Sequence, residues 1–354
     1  MRKIQFILFG AWLITACQQE VSITEESNDC QSIYLSAMVE SNAKSRAPYL
    51  YTAPNSTEPD GKLYTTVLAS STKQAFTHVS GSDGTDNGVV AIHTQANFDN
   101  NTPQLLKDAV YPKSGTPVYF IGLHPQTRWE VNNGGTQAAI TIDGSQDVMF
   151  APRIEGTYAQ DNTLNSQVLP FKHLLTWLKI NIKAEDETTI AAWGKITNMK
   201  ITSKDKVMID LGAEYSNLNC VSYSYADNNN TLLPVRYIEN DNVFPGANGY
   251  SMKQSFDKVA YVLCTPVEAT EKTVVDGVDV TTAEYTLHIE TEKRKIELPI
   301  DLKKNNDTYF TGNTRSRHFT LNLTFKMGNT IVITATLEVT DWKYGGMTDE
   351  DVSI

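Results

Sequence analysis

The stretch FKHLLTWLKINIK, residues 171–183, has the pattern of a β-strand. In its second half the apolar residues Leu178, Ile180 and Ile182 alternate with polar ones, a period of two that places one apolar face against a core. The first half is more continuously apolar. We therefore predict one long strand over this stretch, and the sequence on both sides of it indicates an all-β protein.

Short apolar segments on both sides of this stretch have the same character. They recur at intervals of roughly 8–15 residues without a sustained helical period, which is typical of β-sandwiches. Each is bounded by Gly, Asn, Asp or Pro, the residues that favour turns. Residues 103–110 alone suggest a helical turn or two. The strand candidates are 32–40, 63–69, 74–79, 88–94, 117–123, 138–142, 195–202, 206–211, 232–238, 258–264, 284–290, 294–300, 317–325 and 330–340.

The chain of 354 residues is long enough for two such sandwiches. Residues 155–167 are polar and rich in turn formers, so we place the boundary there. The prediction is an N-terminal sandwich domain over residues 32–165 and a C-terminal one over residues 166–354. In the second domain, 317–325 and 330–340 alternate apolar and polar residues around a Gly-Asn turn, which predicts a closing hairpin.

The N-terminus has the features of a targeting signal. Arg2 and Lys3 precede an uncharged apolar run over residues 4–16. A helix of that length rises about 20 Å, short of the roughly 30 Å hydrocarbon core of a bilayer. Residues 1–16 are therefore predicted to be a cleaved signal peptide rather than a membrane anchor.

The signal ends in Leu13-Ile14-Thr15-Ala16-Cys17, which resembles a bacterial lipobox. The resemblance implies cleavage before Cys17 and lipidation of its sulfur and new amino group, so that the lipid anchors the protein in the outer membrane. Residues 17–31 are polar and acidic, and we predict a spacer between the lipid and the folded part. The alternative is a secreted protein in which Cys17 merely lies near the cleavage site.

Charge and composition exclude some classes of protein. Asp and Glu number 41 against 30 Lys and Arg, a formal net charge of −11. Nucleic acid is therefore excluded as a partner, because its phosphates require a basic surface. With 40% hydrophobic and 20% charged residues, the chain also lacks the composition of a disordered polyelectrolyte.

No pattern of residues indicates an enzyme. The six histidines do not form the spacings of zinc ligands, and neither a nucleophile elbow nor a phosphate-binding loop occurs. The loop over residues 83–88 is similar to a calcium loop but lacks its full spacing, so we interpret it as a turn. We predict no cofactor and no metal. His173 is interpreted as a packed structural histidine.

Two further residue types leave alternatives open. After lipidation of Cys17 the remaining cysteines are Cys30, Cys220 and Cys264. Cys220 and Cys264 either pair in an oxidising compartment or stay buried thiols. Trp129 follows a polar loop, where it either stacks on a sugar ring or packs in the ordinary way.

These features together make the sequence resemble the fimbrillin (Mfa-like) lipoproteins of Bacteroidota, the subunits of type V pili. The resemblance covers nearly the whole chain in the right order, although no single piece is specific. The matching pieces are the lipobox at Cys17, the first strand with Ser45-Arg46-Ala47 after it, Tyr111–Gly115 with the apolar strand 118–121, residues 143–151, the signature Leu169–Leu175, and the closing hairpin with Trp342.

The resemblance implies two tandem transthyretin-like β-sandwich domains and assembly with other fimbrial subunits by β-strand exchange. An arginine-specific protease would cut between Arg46 and Ala47, in a loop open to proteolysis. The strand removed would carry Ile33, Leu35 and Ala37, and a strand of a neighbouring subunit would fill the groove by β-augmentation. The alternative is an uncleaved subunit with Arg46 on a solvated loop.

The C-terminal tail narrows the expected position in the fimbria. Residues 343–354, KYGGMTDEDVSI, contain two glycines and three consecutive acidic residues, which makes a weak donor strand. The tail fits a tip, accessory or anchor subunit at the cell surface that supports adhesion to a host or bacterial glycan or protein. A second hypothesis is a monomeric glycan-binding surface lipoprotein, which would expose two or three coplanar aromatic rings.

Overall fold

The computed structural model describes 15 segments of the chain. Everything below concerns these segments, and the predictions for Cys17, Arg46 and Ala47 lie outside them. The described residues are 30–39, 62–76, 91–99, 104–112, 115–126, 129–158, 166–213, 218–226, 231–238, 242–269, 274–275, 278–279, 284–302, 310–327 and 331–337.

The described elements are strands, apart from one short helix. The first nine strands are β1 (Cys30–Val39), β2 (Lys62–Ser70), β3 (Ala91–Asp99), β4 (Gln104–Pro112), β5 (Val118–His124), β6 (Glu130–Val131), β7 (Gln137–Thr141), β8 (Met149–Gly156) and β9 (Ser166–His173). There follow β10 (Thr176–Ala184), the helix α1 (Glu187–Trp193), β11 (Ile196–Thr202), β12 (Lys206–Asp210), β13 (Val221–Ser224), β14 (Leu232–Pro234), β15 (Arg236–Tyr237) and β16 (Asp257–Cys264). The last are β17 (Glu268–Ala269), β18 (Val274–Val275), β19 (Val278–Asp279), β20 (Tyr285–Thr291), β21 (Lys295–Ile300), β22 (Gly312–Asn313), β23 (His318–Phe325) and β24 (Ile331–Leu337).

The strands form four main sheets, which confirms the predicted all-β class. A seven-stranded sheet has the order β3-β2-β5-β8-β9-β1-β4, and a five-stranded sheet has the order β15-β16-β10-β23-β24. Two four-stranded sheets have the orders β14-β11-β20-β21 and β13-β12-β7-β6. The predicted closing hairpin is confirmed, because β23 and β24 pair antiparallel from Phe319↔Leu337 to Phe325↔Ile331.

Two hydrophobic cores lie on opposite faces of β5. Val118 and Phe120 belong to the first core, whereas Tyr119, Ile121 and Leu123 belong to the second. All seven residues of β5 are buried, because both faces of the strand are covered. The first core consists of Ile33, Leu35, Ala37, Leu63, Val67, Ala69, Phe98, Leu106, Tyr111, Val118, Phe120, Met149, Ala151, Leu169 and Phe171. The second, larger core includes inward residues of β10, β11, β16, β20 and β23.

Strand pairing crosses the boundary that the sequence predicts near residue 165. β9, which follows it, pairs with β8 and with β1 in the seven-stranded sheet. β7, which precedes it, pairs with β12 from Gln137↔Asp210 to Thr141↔Lys206. The division into domains at this point stays a prediction, and the two predicted parts share hydrogen-bonded sheets.

The stretch 171–183 forms two strands, so the prediction of one long strand is wrong. β9 ends at His173 and β10 begins at Thr176, in a different sheet. Leu174 makes the change of sheet: its amide donates to the carbonyl oxygen of Val148 at 2.8 Å and its own carbonyl accepts from the Tyr223 hydroxyl at 2.7 Å. The stretch is apolar because Phe171 is buried in the first core and the leucines and isoleucines from Leu174 onward are buried in the second, although no single ladder runs through it.

Two local predictions also differ from the structure. Residues 104–112 form β4 rather than a helical turn, because pairing with β1 decides their conformation over weak local propensity. The sequence reading missed α1, whose N-cap Asp186 accepts a hydrogen bond from the Thr189 amide at 2.7 Å. In the part of the chain that the structure describes, α1 is the only helix, and no helix there is long and apolar enough to cross a membrane.

Candidate site: the first strand and its groove

β1 lies between β4 and β9, and it is bonded to each over a different half of its length. Its first half pairs antiparallel with β4, from Cys30↔Pro112 to Leu35↔Gln104, with a shift in register between Ser32 and Tyr34. Its second half pairs parallel with β9, from Tyr34↔Ser166 to Val39↔Phe171. Only Tyr34 and Leu35 therefore take part in both ladders.

The three side chains predicted to fill the groove lie together in the first core. Ile33 and Leu35 are fully buried and Ala37 is 7% exposed, whereas Met38 on the opposite face is 44% exposed. The alternation in the sequence thus marks the core face, and on the opposite face Ser36 is also buried, at 3% exposed. We call the space between β4 and β9 that these side chains occupy the groove.

The floor of the groove is fitted closely around one glycine. A Cβ atom at Gly122 on β5 would overlap Cζ of Phe171 and lie 3.0 Å from Cβ of Ala151. Glycine at this position therefore lets the Phe171 ring of β9 lie against β5. Phe171 in turn pairs with Val39 at the end of β1, so the floor and the strand are directly coupled.

A second close contact lies on the β4 side of the groove. The hydroxyl of Tyr111, which is fully buried, lies where a Cβ at Gly156 would be. Burial raises the pKa of Tyr111 to about 12, so the phenol is neutral. Tyr111 also makes an edge-to-face contact with Phe120, with ring centroids 6.1 Å apart, which ties the β4 wall to the floor.

Two buried histidines and a buried carboxylate lie where β5, β8 and β9 meet. Nδ1 of His173 is 3.1 Å from Oδ1 and 2.9 Å from Oδ2 of Asp147, and both residues are 3% exposed. His124, fully buried, donates from Nδ1 to the carbonyl oxygen of Tyr64 at 2.7 Å. Burial lowers the pKa of His124, the Asp147 carboxylate opposes this, and the nearby His173 adds to it. His173 is thus a packed, hydrogen-bonded histidine, as the sequence reading has it.

The other residues that the sequence singled out are buried or packed in the fold. Cys220 and Cys264 are buried free thiols, and burial raises their pKa values to about 11 and about 12. Trp129 is partly buried and packs against the second core. Phe256 is the only exposed aromatic residue among those with a described side chain. The described segments therefore offer no platform of coplanar exposed rings, and they contain no group of His, Cys, Asp or Glu able to hold a metal.

Sequence reasoning missed the features that depend on distant pairing. Neither the parallel partner β9 nor the contact between Tyr111 and Gly156 leaves a local pattern. The Asp147–His173 pair is different, because both residues lie in stretches that the family resemblance singled out. A buried apolar strand ending in histidine is a signal that could have prompted a search for an acidic partner.

Comparison with known proteins supports the fold. Among solved structures, a candidate cell adhesion protein from Bacteroides uniformis ATCC 8492 matches with a TM-score of 0.50 at 11% identity, over 89% of this chain and 100% of that one. A candidate cell adhesion protein from Bacteroides ovatus ATCC 8483 gives 0.46 at 12% identity, over 89% and 98%. A fimbrial protein from Bacteroides vulgatus ATCC 8482 gives 0.45 at 14% identity, over 88% and 100%. No family model and no curated protein matches the chain.

The first of these matches shows that the chain has the fold of that protein. The resemblance stated from the sequence is confirmed at the level of fold.

Proposed function

We propose that the protein is a fimbrial subunit of the bacterial cell surface, that it assembles by β-strand exchange, and that β1 is the strand it gives up. The observation that carries the proposal is the divided pairing of β1, whose three buried side chains fill the groove while only Tyr34 and Leu35 are bonded on both sides. The fold shared with a protein named for cell adhesion supports it. So does the resemblance to fimbrillins.

Removal of β1 would leave an unstable groove that another strand can fill. The groove would expose apolar residues of the first core, together with unpaired main-chain groups of β4 and β9. Such an edge beside apolar surface is costly in water and is the usual template for an added strand. In the proposal, cleavage between Arg46 and Ala47 releases β1, and a strand of another subunit restores both the ladder and the core.

The side chains of β1 also indicate which side-chain sizes an incoming strand needs at alternate positions. Residues 33–37, IYLSA, place two large side chains and then a small one at alternate positions of the groove. β24 has the same order in residues 331–335, IVITA. A second copy of this chain therefore contains a strand of suitable pattern. The tip, accessory or anchor position rests on the tail 343–354, which lies outside the described residues, and is part of the proposal.

The remaining parts of the proposal concern location and division into domains. Lipid on Cys17 would hold the precursor in the outer membrane, with residues 17–31 as a spacer. The two sandwiches would be residues 32–165 and 166–354, with adhesion to a host or bacterial surface as their role. No catalysis is proposed.

A disulfide that fixes β1 in its groove tests the exchange. Ser36 pairs with Val168 in the parallel ladder, so the double variant Ser36→Cys/Val168→Cys places two thiols at adjacent positions. In the bacterium, we expect the oxidised double variant to stay out of fimbriae and the reduced one to enter them. Mass spectrometry of wild-type fimbriae should find this subunit beginning at Ala47.

The single variant Val168→Cys is the matched control, since it adds an exposed thiol on β9 without a link to β1. It should assemble like the wild type in both conditions. Assembled fimbriae that contain the intact disulfide, or that contain the subunit with a lipidated Cys17 as its first residue, would contradict strand release.

A further inference from the structure

The two halves of the seven-stranded sheet meet at its shortest ladder. β3, β2, β5 and β8 form one half, and β9, β1 and β4 form the other. They are joined by two residue pairs, Met149↔His173 and Phe150↔Lys172. We call this contact the β8–β9 joint. Because β9 is also the parallel partner of β1, the joint determines where one wall of the groove lies.

The buried histidines lie in one row across this joint. His124 pairs with Met149 in the ladder of β5 and β8, and Met149 pairs with His173 in the joint. Asp147 lies two residues before Met149 and accepts the hydrogen bond from His173. The joint is therefore flanked on both sides by a titratable ring.

Burial makes a positive charge on this row unfavourable. The Asp147 carboxylate is hydrogen-bonded to His173, whereas a proton on the fully buried His124 places a positive charge where burial opposes it. Among the described residues, Asp147 and His173 act on the His124 ring through their charge, and β2 contributes the uncharged Tyr64 carbonyl. Acidification therefore works against the packed arrangement.

The direction of the pH effect follows from the position of His124. Its pKa in the native state lies below the ordinary value of 6.5, chiefly because of burial. As the pH falls through 6.5, His124 takes up a proton in the unfolded or opened state but stays neutral in the closed state. The contribution of His124 to stability is thus fully present above pH 6.5 and is lost as the pH falls through and below it.

We propose that His124, Asp147 and His173 form an acid-sensitive clasp, and that protonation of His124 opens the β8–β9 joint. The clasp rests on the row of buried side chains across the joint, and the pKa of His124 gives the direction of the effect. Its use rests on the proposed function: an open joint would displace β9 and loosen β1 in the groove, so that strand release would be favoured at acidic surfaces.

Hydrogen exchange of the purified protein at about pH 7.5 and about pH 5 tests the clasp. Protection factors, which correct for the intrinsic pH dependence of exchange, would be compared for peptides of β8 and β9 and for peptides of β10 as an internal reference. We expect protection in β8 and β9 to fall on acidification by roughly tenfold for each unit by which the pKa of His124 differs between closed and open states. Protection in β10 should fall less.

Two variants should move this effect in opposite directions. His124→Asn keeps a donor for the Tyr64 carbonyl but cannot take up a proton, so the acid loss of protection should shrink. Asp147→Asn removes the compensating charge, so the loss should grow. His288→Asn is the matched control, because His288 is a partly exposed histidine on β20 that contacts Thr202 and Glu297 away from the joint.

The clasp is refuted if His124→Asn and Asp147→Asn lose protection on acidification to the same extent as the wild type. If His124→Asn does not fold, the comparison of Asp147→Asn with the wild type decides alone, and an unchanged acid loss refutes the clasp. Since uncleaved protein is used, failure here leaves strand exchange untouched, and failure of the disulfide experiment leaves the clasp untouched.

Discussion

β1 and β10 occupy equivalent places in two different sheets. Each is an inner strand with one parallel and one antiparallel neighbour: β9 and β4 for β1, β23 and β16 for β10. Each buries alternate residues in a core. β10, however, is bonded along almost its whole length on both sides, from Thr176 to Ile182 with β16 and from Trp177 to Ala184 with β23.

The difference lies in the ladders rather than in the side chains. Leu178 and Ile180 of β10 are fully buried, as are Ile33 and Leu35 of β1. Burial of side chains therefore stabilises both strands. Of the two, only β10 is also hydrogen-bonded along nearly its whole length on both sides. A strand that depends on side-chain burial, with two half-length ladders, is the one that another apolar strand can replace.

The largest effect should come from a buried charge in β10. Ile180 lies in the second core opposite Ala260 and Leu321, and Ile180→Asp would place a carboxylate there without a partner. Such a group costs several kcal/mol, a large share of a typical total stability of about 5–15 kcal/mol. We expect no folded protein by circular dichroism and proteolysis.

The matched change in β1 should be far milder for the rest of the molecule. Ile33→Asp would expel β1 from the groove, while β10 and the second core stay protected from protease. If Ile33→Asp unfolds the whole chain as Ile180→Asp does, β1 is as integral as β10 and the contrast between them fails.

The sequence predicts the faces of strands better than their neighbours. Alternation in residues 32–38 identified Ile33, Leu35 and Ala37 as one face, and these three side chains are buried together. The hairpin of β23 and β24 followed from alternation around a short turn. Both signals are local, because pleating and tight turns act over a few residues.

What could not be predicted depends on residues far apart in the chain. The parallel pairing of β1 with β9 joins residues 34–39 to 166–171, and nothing in either segment marks the other. β9 ends at His173 because Leu174 bonds to Val148 and Tyr223. The apolar run continues through this point, so the sequence does not show that the strand ends there. Residues 104–112 form a strand because they pair with the edge of β1.

A moderate effect should follow from crowding the contact between β5 and Phe171 of β9, the parallel neighbour of β1. Gly122→Ala would force its new methyl group into Phe171 and Ala151, and overpacking of this kind costs roughly 1–3 kcal/mol. Urea unfolding should show this loss, and hydrogen exchange should show β1 and β9 losing more protection than β10. Gly134→Ala is the control, since its Cβ would meet nothing nearer than Oγ1 of Thr136 at 3.8 Å. Equal losses of protection in β1 and β10 would show that the groove and the second core unfold as one unit.

The smallest effect should come from the outward face of β1. Met38 is 44% exposed, and its register partner Pro170 is also on the outward side of β9. Met38→Ser should therefore change the free energy of unfolding by no more than about 0.5 kcal/mol, as is usual for exposed positions. The comparison with Met38→Leu at the same position controls for the loss of side-chain volume. A loss of more than about 1 kcal/mol for Met38→Ser alone would mean that this face is covered in the folded protein. Burial of both faces would then stabilise β1. In that case β1 would be held as firmly as β10, although its ladders are shorter.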